Sequence, residues 1–207
     1  MTRALSLTTV PDPFFAGLPH AEIHSLLYPD ILHQLLQGIL KHVVSWLKQV
    51  LGVQELDCCF RSIPLTYGTT VFKDSFLDYS CMTRKDFKKI AQVLVGAICG
   101  PPVLIMKATA AVVEFYYLAS LPTHSDCTLP LLRWALLDFH KNKWGFTSLG
   151  VRNNKGVGKG EKTNLFCILK LHSLVHYVWS IVEGRALDGW STEMSKRLHI
   201  DLMKNAF

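Results

Sequence analysis

Apolar positions along the chain recur with helical rather than alternating spacing. Between residues 30 and 51, Ile31, Leu35, Val43, Trp46 and Val50 mark one stripe, widened by Leu32, Leu36, Ile39, Leu40 and Leu47. Gln34, Gln37, Lys41, Ser45 and Lys48 take the remaining face. A stripe this broad predicts a central helix. Residues 55 to 62 read as a short helix ended by Pro64, and residues 64 to 82 as loop or short turns. Thr83 is placed to cap a helix running to about residue 98, with Asp86 in its first turn, and Gly100-Pro101-Pro102 stops it. A further helix is expected from about residue 103 to 120. Ser125 or Asp126 then caps one running to about residue 143, with Leu129, Leu132, Leu136 and Phe139 among its apolar positions. Helical patterning returns over residues 165 to 182. A last helix runs from Thr192 to about residue 206, with Met194, Leu198 and Leu202 on one side. No internal repeat and no alternating strand occurs, so the pattern predicts an all-α class. The organisation expected is an irregular segment over 1–20, where Pro11, Pro13 and Pro19 oppose a helix, followed by one helical domain over 21–207.

Composition narrows this picture. Apolar residues make up 49% of the 207 and charged residues 18%. Disorder is excluded on that balance, and apolar surface left uncovered would favour self-association. Residues 93 to 106 are broken by Gly100-Pro101-Pro102, and residues 108 to 121 carry Glu114, so neither supplies the roughly 18 apolar residues of a membrane span. Residues 1 to 15 lack an apolar run long enough for a secretory signal. An intracellular protein without membrane contact is expected. The six cysteines form no C-x-x-C pair and read as reduced core or surface thiols.

The net charge of +6 permits contact with nucleic acid without demanding it. Residues 141 to 162 hold Lys141, Lys143, Arg152, Lys155, Lys159 and Lys162 against Glu161 alone. Within them, the Gly- and Lys-rich loop at 150–163 fails as a phosphate-binding P-loop, because Glu161 rather than glycine precedes Lys162-Thr163. Nucleotide is therefore not expected, while Lys155, Lys159 and Lys162 could contact a DNA phosphate backbone. His172 and His176 lie one helical turn apart with no third metal ligand evident, and ordinary helix-face histidines account for them. Asp30 follows a proline and opens a helix, the place of an N-cap, with His33 in the first turn. Glu193 similarly opens the last helix, four residues before Arg197, with His199 and Asp201 following.

Several segments together resemble one family. "PDILHQLLQGILKHVVSWL", "DCCFRSIP", "LPLLRWALLDFHKNKWGFTSLGVR", "LKLHSLVHYVWSI" and "STEMSKRLHIDLMKNAF" are similar, in order and spacing from residue 27 to the end, to five blocks of the Plavaka-type transposases of fungi, relatives of the CACTA group. The resemblance implies a cut-and-paste DNA transposase with an RNase H-like core, in which three carboxylates hold two divalent metals, usually Mg²⁺. By motif match Asp30 takes the acidic position of the D-x-x-H block and Glu193 the glutamate of the T-E block. The helices between them correspond to the helical insertion of that core, without its complete β-sheet.

The sequence also departs from the family. The first catalytic aspartate is expected on a strand upstream of the D-x-x-H block. The 29 residues before Asp30 contain no such strand, and Asp12 is flanked by prolines. Lys196 stands where the T-E block often has a second glutamate. With Asp30 and Glu193 as ligands only if a further aspartate completes them, no cofactor is expected for this chain alone. The expectation is a truncated or decayed transposase, inactive by itself. A helical DNA-binding or interaction module, found in the nucleus if it binds DNA, is the alternative. A third possibility is an enzyme completed in trans by a chain that supplies the missing aspartate.

Overall fold

The computed structural model describes residues 16–17, 28–64, 68, 72, 82–151, 166, 168–184, 186–187, 192 and 198. These residues are helical, with no strand among them. The helices are α1 (Ile31–Leu40), α2 (Lys41–Leu51), α3 (Val53–Arg61), α4 (Arg84–Ala97), α5 (Val103–Ala119), α6 (Thr128–Asn142), α7 (Trp144–Ser148), α8 (Leu169–Ser173) and α9 (Tyr177–Gly184), with a 3₁₀ turn Leu174–His176 between the last two. Among the described residues no helix is long and apolar enough to cross a membrane.

The long helix expected from residue 30 is present but wound in two ways. Its first ten residues are a π-helix, and only from Lys41 does the backbone tighten to an α-helix. The side chains suggest why. Buried pairs recur at Ile31–Leu32, Leu35–Leu36, Ile39–Leu40 and Val43–Val44, every four residues, and then at Trp46–Leu47 after three. At 3.6 residues per turn, a four-residue repeat drifts about 40° around an α-helix with each step. Winding with i→i+5 bonds fits more residues into each turn and drifts it the other way. The π segment therefore keeps the stripe aimed at the core until the spacing itself becomes α-like. Gly52, at φ 84°, ends the rod.

This rod is the hub of the fold. α1 packs against α4, α5 and α8, and α5 and α6 pack along each other to enclose it. Leu35, Leu40, Val43 and Leu47 are wholly buried, and one apolar cluster continues through Leu56, Ile90, Leu94, Ile105 and Leu132. α4 begins as expected. Thr83 accepts from the Asp86 N–H, and the Asp86 carboxylate accepts from the Thr83 N–H at 2.8 Å, a complete capping box. α6 is preceded by a turn in which Ser125 Oγ, not Asp126, accepts from the Thr128 N–H. Within the pattern expected over 165–182, the first helix among the described residues begins at Leu169, and the 3₁₀ turn interrupts it. The loop at 150–163 lies outside the described residues except at its edge, as do most of residues 1–20 and 64–82. Of the last predicted helix, only Thr192 and Leu198 are described.

Candidate functional site

Asp30 is held between its own helix and a residue 162 positions away. Pro29 is buried, and Asp30 itself is extended (φ −99°, ψ 113°), which turns its carboxylate back over the first turn of α1. Oδ1 accepts from the Leu32 N–H at 3.1 Å and Oδ2 from the His33 N–H at 3.3 Å. The predicted cap is real. The His33 ring bends back so that Nδ1 meets Oδ2 directly. From the far end of the chain, Thr192 donates its hydroxyl to Oδ2 at 2.8 Å and its N–H to Oδ1 at 3.4 Å. Thr192 Oγ1 also lies 3.1 Å from His33 Nδ1.

These contacts fix the protonation pattern. Burial by itself raises the Asp30 carboxyl. Hydrogen bonds from His33, Thr192 and the Leu32 N–H, with the attraction of His33, outweigh it and hold the group below the ordinary carboxylate range. Asp30 is therefore an acceptor only, and the hydrogen between it and His33 belongs to Nδ1. The His33 ring is 40% exposed.

A carboxylate offers about four lone-pair sites, and this one already meets five donors. A divalent cation would have to displace Thr192 or His33 to bind here. Among the described residues, no group of three or more His, Cys, Asp or Glu is arranged to hold a metal. The side chains described thus fit a hydrogen-bonded junction and do not by themselves fit a two-metal centre. Glu193, Arg197, His199 and Asp201 lie outside the described residues, as do Lys155, Lys159 and Lys162. Of the sequence candidates, the structure brings Asp30 and His33 together, and joins them to the chain neighbour of Glu193.

Three groups that sequence reasoning missed touch Asp30 or lie within its field. Thr192 is the first. Tyr177 is the second: it is fully buried, and burial, reinforced by the charge of Asp30, pushes its hydroxyl far above the ordinary range. Arg84 is the third. Burial lowers its guanidinium, while the fields of Tyr116 and Asp30 raise it. Thr192 and Tyr177 stand inside quoted blocks, "STEMSKRLHIDL" and "KLHSLVHY", so the signal was present without a role attached. Arg84, the first residue of a capped helix, carried no signal.

The block that holds Tyr177 also meets the first block further along α1. Ser173 Oγ donates to Gln34 Oε1 at 3.1 Å. Gly38 lies under Lys170, where an added Cβ would stand 2.8 Å from Lys170 Cδ and 2.9 Å from the His33 carbonyl oxygen. At the other end of the rod, Trp46 packs on Phe146 (ring centroids 5.1 Å apart) and on Phe166 (5.6 Å). His172 and His176 are both exposed, with ring centroids 5.3 Å apart. Lys143, counted with the basic segment, proves to be buried. Its Nζ is 2.9 Å from His140 Nδ1 and sits over the rings of Trp144 and Phe166, so it is an aromatic-packed lysine rather than a phosphate contact.

A family model described as Plavaka transposase matches residues 1–47. The match takes in Asp30, His33, Gln34, Gly38 and Trp46 and ends at Leu47, so it covers the first of the five blocks. No curated protein and no solved structure matches the chain. The chain is thus similar to Plavaka transposases over residues 1–47, and the first block within that span is the one on which residues of the later blocks converge.

Proposed function

We propose that this transposase-derived chain is a remnant of a cut-and-paste DNA transposase. It keeps the helical scaffold joining two catalytic blocks but does not cut DNA by itself. The observation that supports this reading is the bond from Thr192 to Asp30. A glutamate and an aspartate that share divalent cations must lie close together, and here the residue next to Glu193 is tied to Asp30 across 162 positions. When bound, Mg²⁺ would supply charge for activating a water or a 3′-hydroxyl. This chain's own residues orient rather than react: His33 and Thr192 hold the Asp30 carboxylate ionised, and α1 packs it against α8.

Two acids of a three-carboxylate set leave the nucleophile unplaced, which costs most of the rate. The test is the purified 207-residue chain with Mg²⁺ and labelled DNA ending in transposon-type inverted repeats. No nicking and no strand transfer is expected. Cleavage that disappears in Glu193→Gln would overturn the proposal and favour an intact enzyme. A DNA-binding role is a second reading, supported by the lysines at 155, 159 and 162. It predicts affinity that falls steeply with salt and is lost when all three become Glu.

A further inference from the structure

Away from Asp30, α3 and the end of α4 enclose a cleft of about 650 Å³, whose lining includes Glu55, Cys58, Cys59, Gln92, Gly96 and Cys99. Three of the six cysteines thus open into one space. We propose that Cys59 and Cys99 are a thiol pair that closes to a disulfide on exposure to a small oxidised disulfide, clasping α3 to the end of α4 across this cleft.

The geometry favours this pair over the others. The Cys59 sulfur lies 4.0 Å from Glu55 Oε1, to which it donates, and Cys99 is near enough to act on the Cys59 thiol through both its backbone N–H and its own thiol. Cysteines can be bridged with little backbone movement where their Cα atoms lie within about 7 Å, and here α3 packs directly on α4 with both side chains lining one cleft. Cys99 is also free to adjust. α4 has ended at Ala97, and Gly100 follows at φ 88°, so residue 99 sits on a turn rather than inside a helix. Cys58 lines the same cleft from the adjacent position of α3. Successive side chains on a helix diverge, and a Cys58–Cys59 bridge would break that geometry.

The order of attack follows from exposure and charge. Cys99 is exposed and Cys59 half-buried. Burial raises the Cys59 thiol, and Glu55, Cys99 and Cys58 raise it further against the opposing Cys99 N–H. Cys99 is therefore the first nucleophile. As thiolate it attacks one sulfur of oxidised glutathione, forms a mixed disulfide and expels one glutathione thiolate. Cys59 then gives up its proton and attacks the Cys99 sulfur, forming the internal S–S bond and expelling the second glutathione. Two protein thiols are oxidised and one glutathione disulfide is reduced to two thiols. In a reducing compartment both cysteines remain thiols and the cleft stays open.

The test treats the reduced full-length chain with oxidised glutathione and maps the product by mass spectrometry. The expected product has lost two hydrogens, carries no glutathione, yields a peptide pair linking residues 59 and 99, and reverts with dithiothreitol. Cys58→Ser leaves that linkage unchanged. Cys59→Ser stops at a glutathione adduct on Cys99. A wild-type product that stops at glutathione adducts, or a cross-link that survives Cys99→Ser, overturns the proposal. Circular dichroism of each variant separates lost linkage from lost fold.

Discussion

The two ends of the central rod are built from different physics. At the α1 end the contacts are polar and directional. Asp30 meets Thr192, Gln34 meets Ser173, and Gly38 leaves room for Lys170. At the α2 end they are aromatic and non-directional, with Trp46 among His42, Phe146 and Phe166. Aromatic packing contributes more free energy per residue but accepts several arrangements. Hydrogen bonds contribute less net energy and specify geometry. A site that must hold two chain-distant blocks in register needs the second kind, and a fold that must bury its hub needs the first.

Substitutions can test that division. The largest effect is expected at the aromatic end. Trp46 is almost wholly buried, and Trp46→Ala should cost about 3–5 kcal/mol in urea unfolding by leaving a cavity against two rings. The loss should appear in the whole transition, with no selective change near residue 192 in hydrogen exchange. A selective change there would mean that the two ends are not separable.

The next effect belongs to Asp30. Removing the cap costs about 1 kcal/mol, and removing a buried hydrogen bond to Thr192 costs a similar amount. Asp30→Ala should therefore lose about 2 kcal/mol in total, with exchange protection falling at residue 192 before the core. Its pH dependence has a defined sign. The folded carboxyl titrates below its unfolded value of about 3.9, so the native state binds fewer protons. The contribution is present above that pH and is lost as pH falls through the folded value. Asp30→Asn should flatten this acid limb in urea midpoints measured between about pH 5 and pH 2. An unchanged limb would place the charge effect elsewhere.

Gly38 sharpens the comparison at the level of backbone. π winding brings the His33 carbonyl, five residues back, to 2.9 Å from where a Cβ would stand. Unlike the flexible Lys170 stem, that oxygen cannot move without unwinding α1. Gly38→Ala should cost about 1–3 kcal/mol. Gly96, in α4, has nothing within 4 Å of an added Cβ, so Gly96→Ala should gain about 0.5–1 kcal/mol by relieving chain entropy. Two Gly→Ala changes of the same sign in thermal melts would contradict the π geometry.

The sequence conveyed the scaffold better than the site. Periodicity marked the helices because burial stripes are local, and caps such as Thr83–Asp86 and Asp30 are spelled out within three residues. The π turns are also spelled out, in the four-residue repeat from Ile31 to Val44, but an α-helix tolerates such a repeat over a short span, so the repeat alone does not distinguish the two windings. The 3₁₀ break before Tyr177 has no comparable marker. Asp30 and His33 were legible as candidates from one block. Their partners Thr192 and Tyr177 were not, because nothing local says which distant side chain a carboxylate will meet. Lys143 shows the opposite error: a lysine in a basic run reads as solvated, and only packing reveals that Trp144 and Phe166 enclose it.

The smallest expected effect is the most discriminating for the polar end. Tyr177 has its hydroxyl buried with no hydrogen-bond partner among the described residues, within the field of Asp30. A buried, unsatisfied hydroxyl costs about 1–3 kcal/mol. Its ring contributes packing against Phe115, with centroids 5.3 Å apart. Tyr177→Phe keeps that ring and removes only the oxygen, so stability should stay level or rise by up to about 1 kcal/mol in urea unfolding. The same change in an Asp30→Ala background separates two explanations. If the hydroxyl merely sits unpaired, the two effects add. If it donates to Asp30 whenever Thr192 lets go, Tyr177→Phe destabilises the wild type and is silent once Asp30 is alanine. That non-additivity would move Tyr177 from the aromatic core into the hydrogen-bonded junction and shift the boundary between the two ends of the rod.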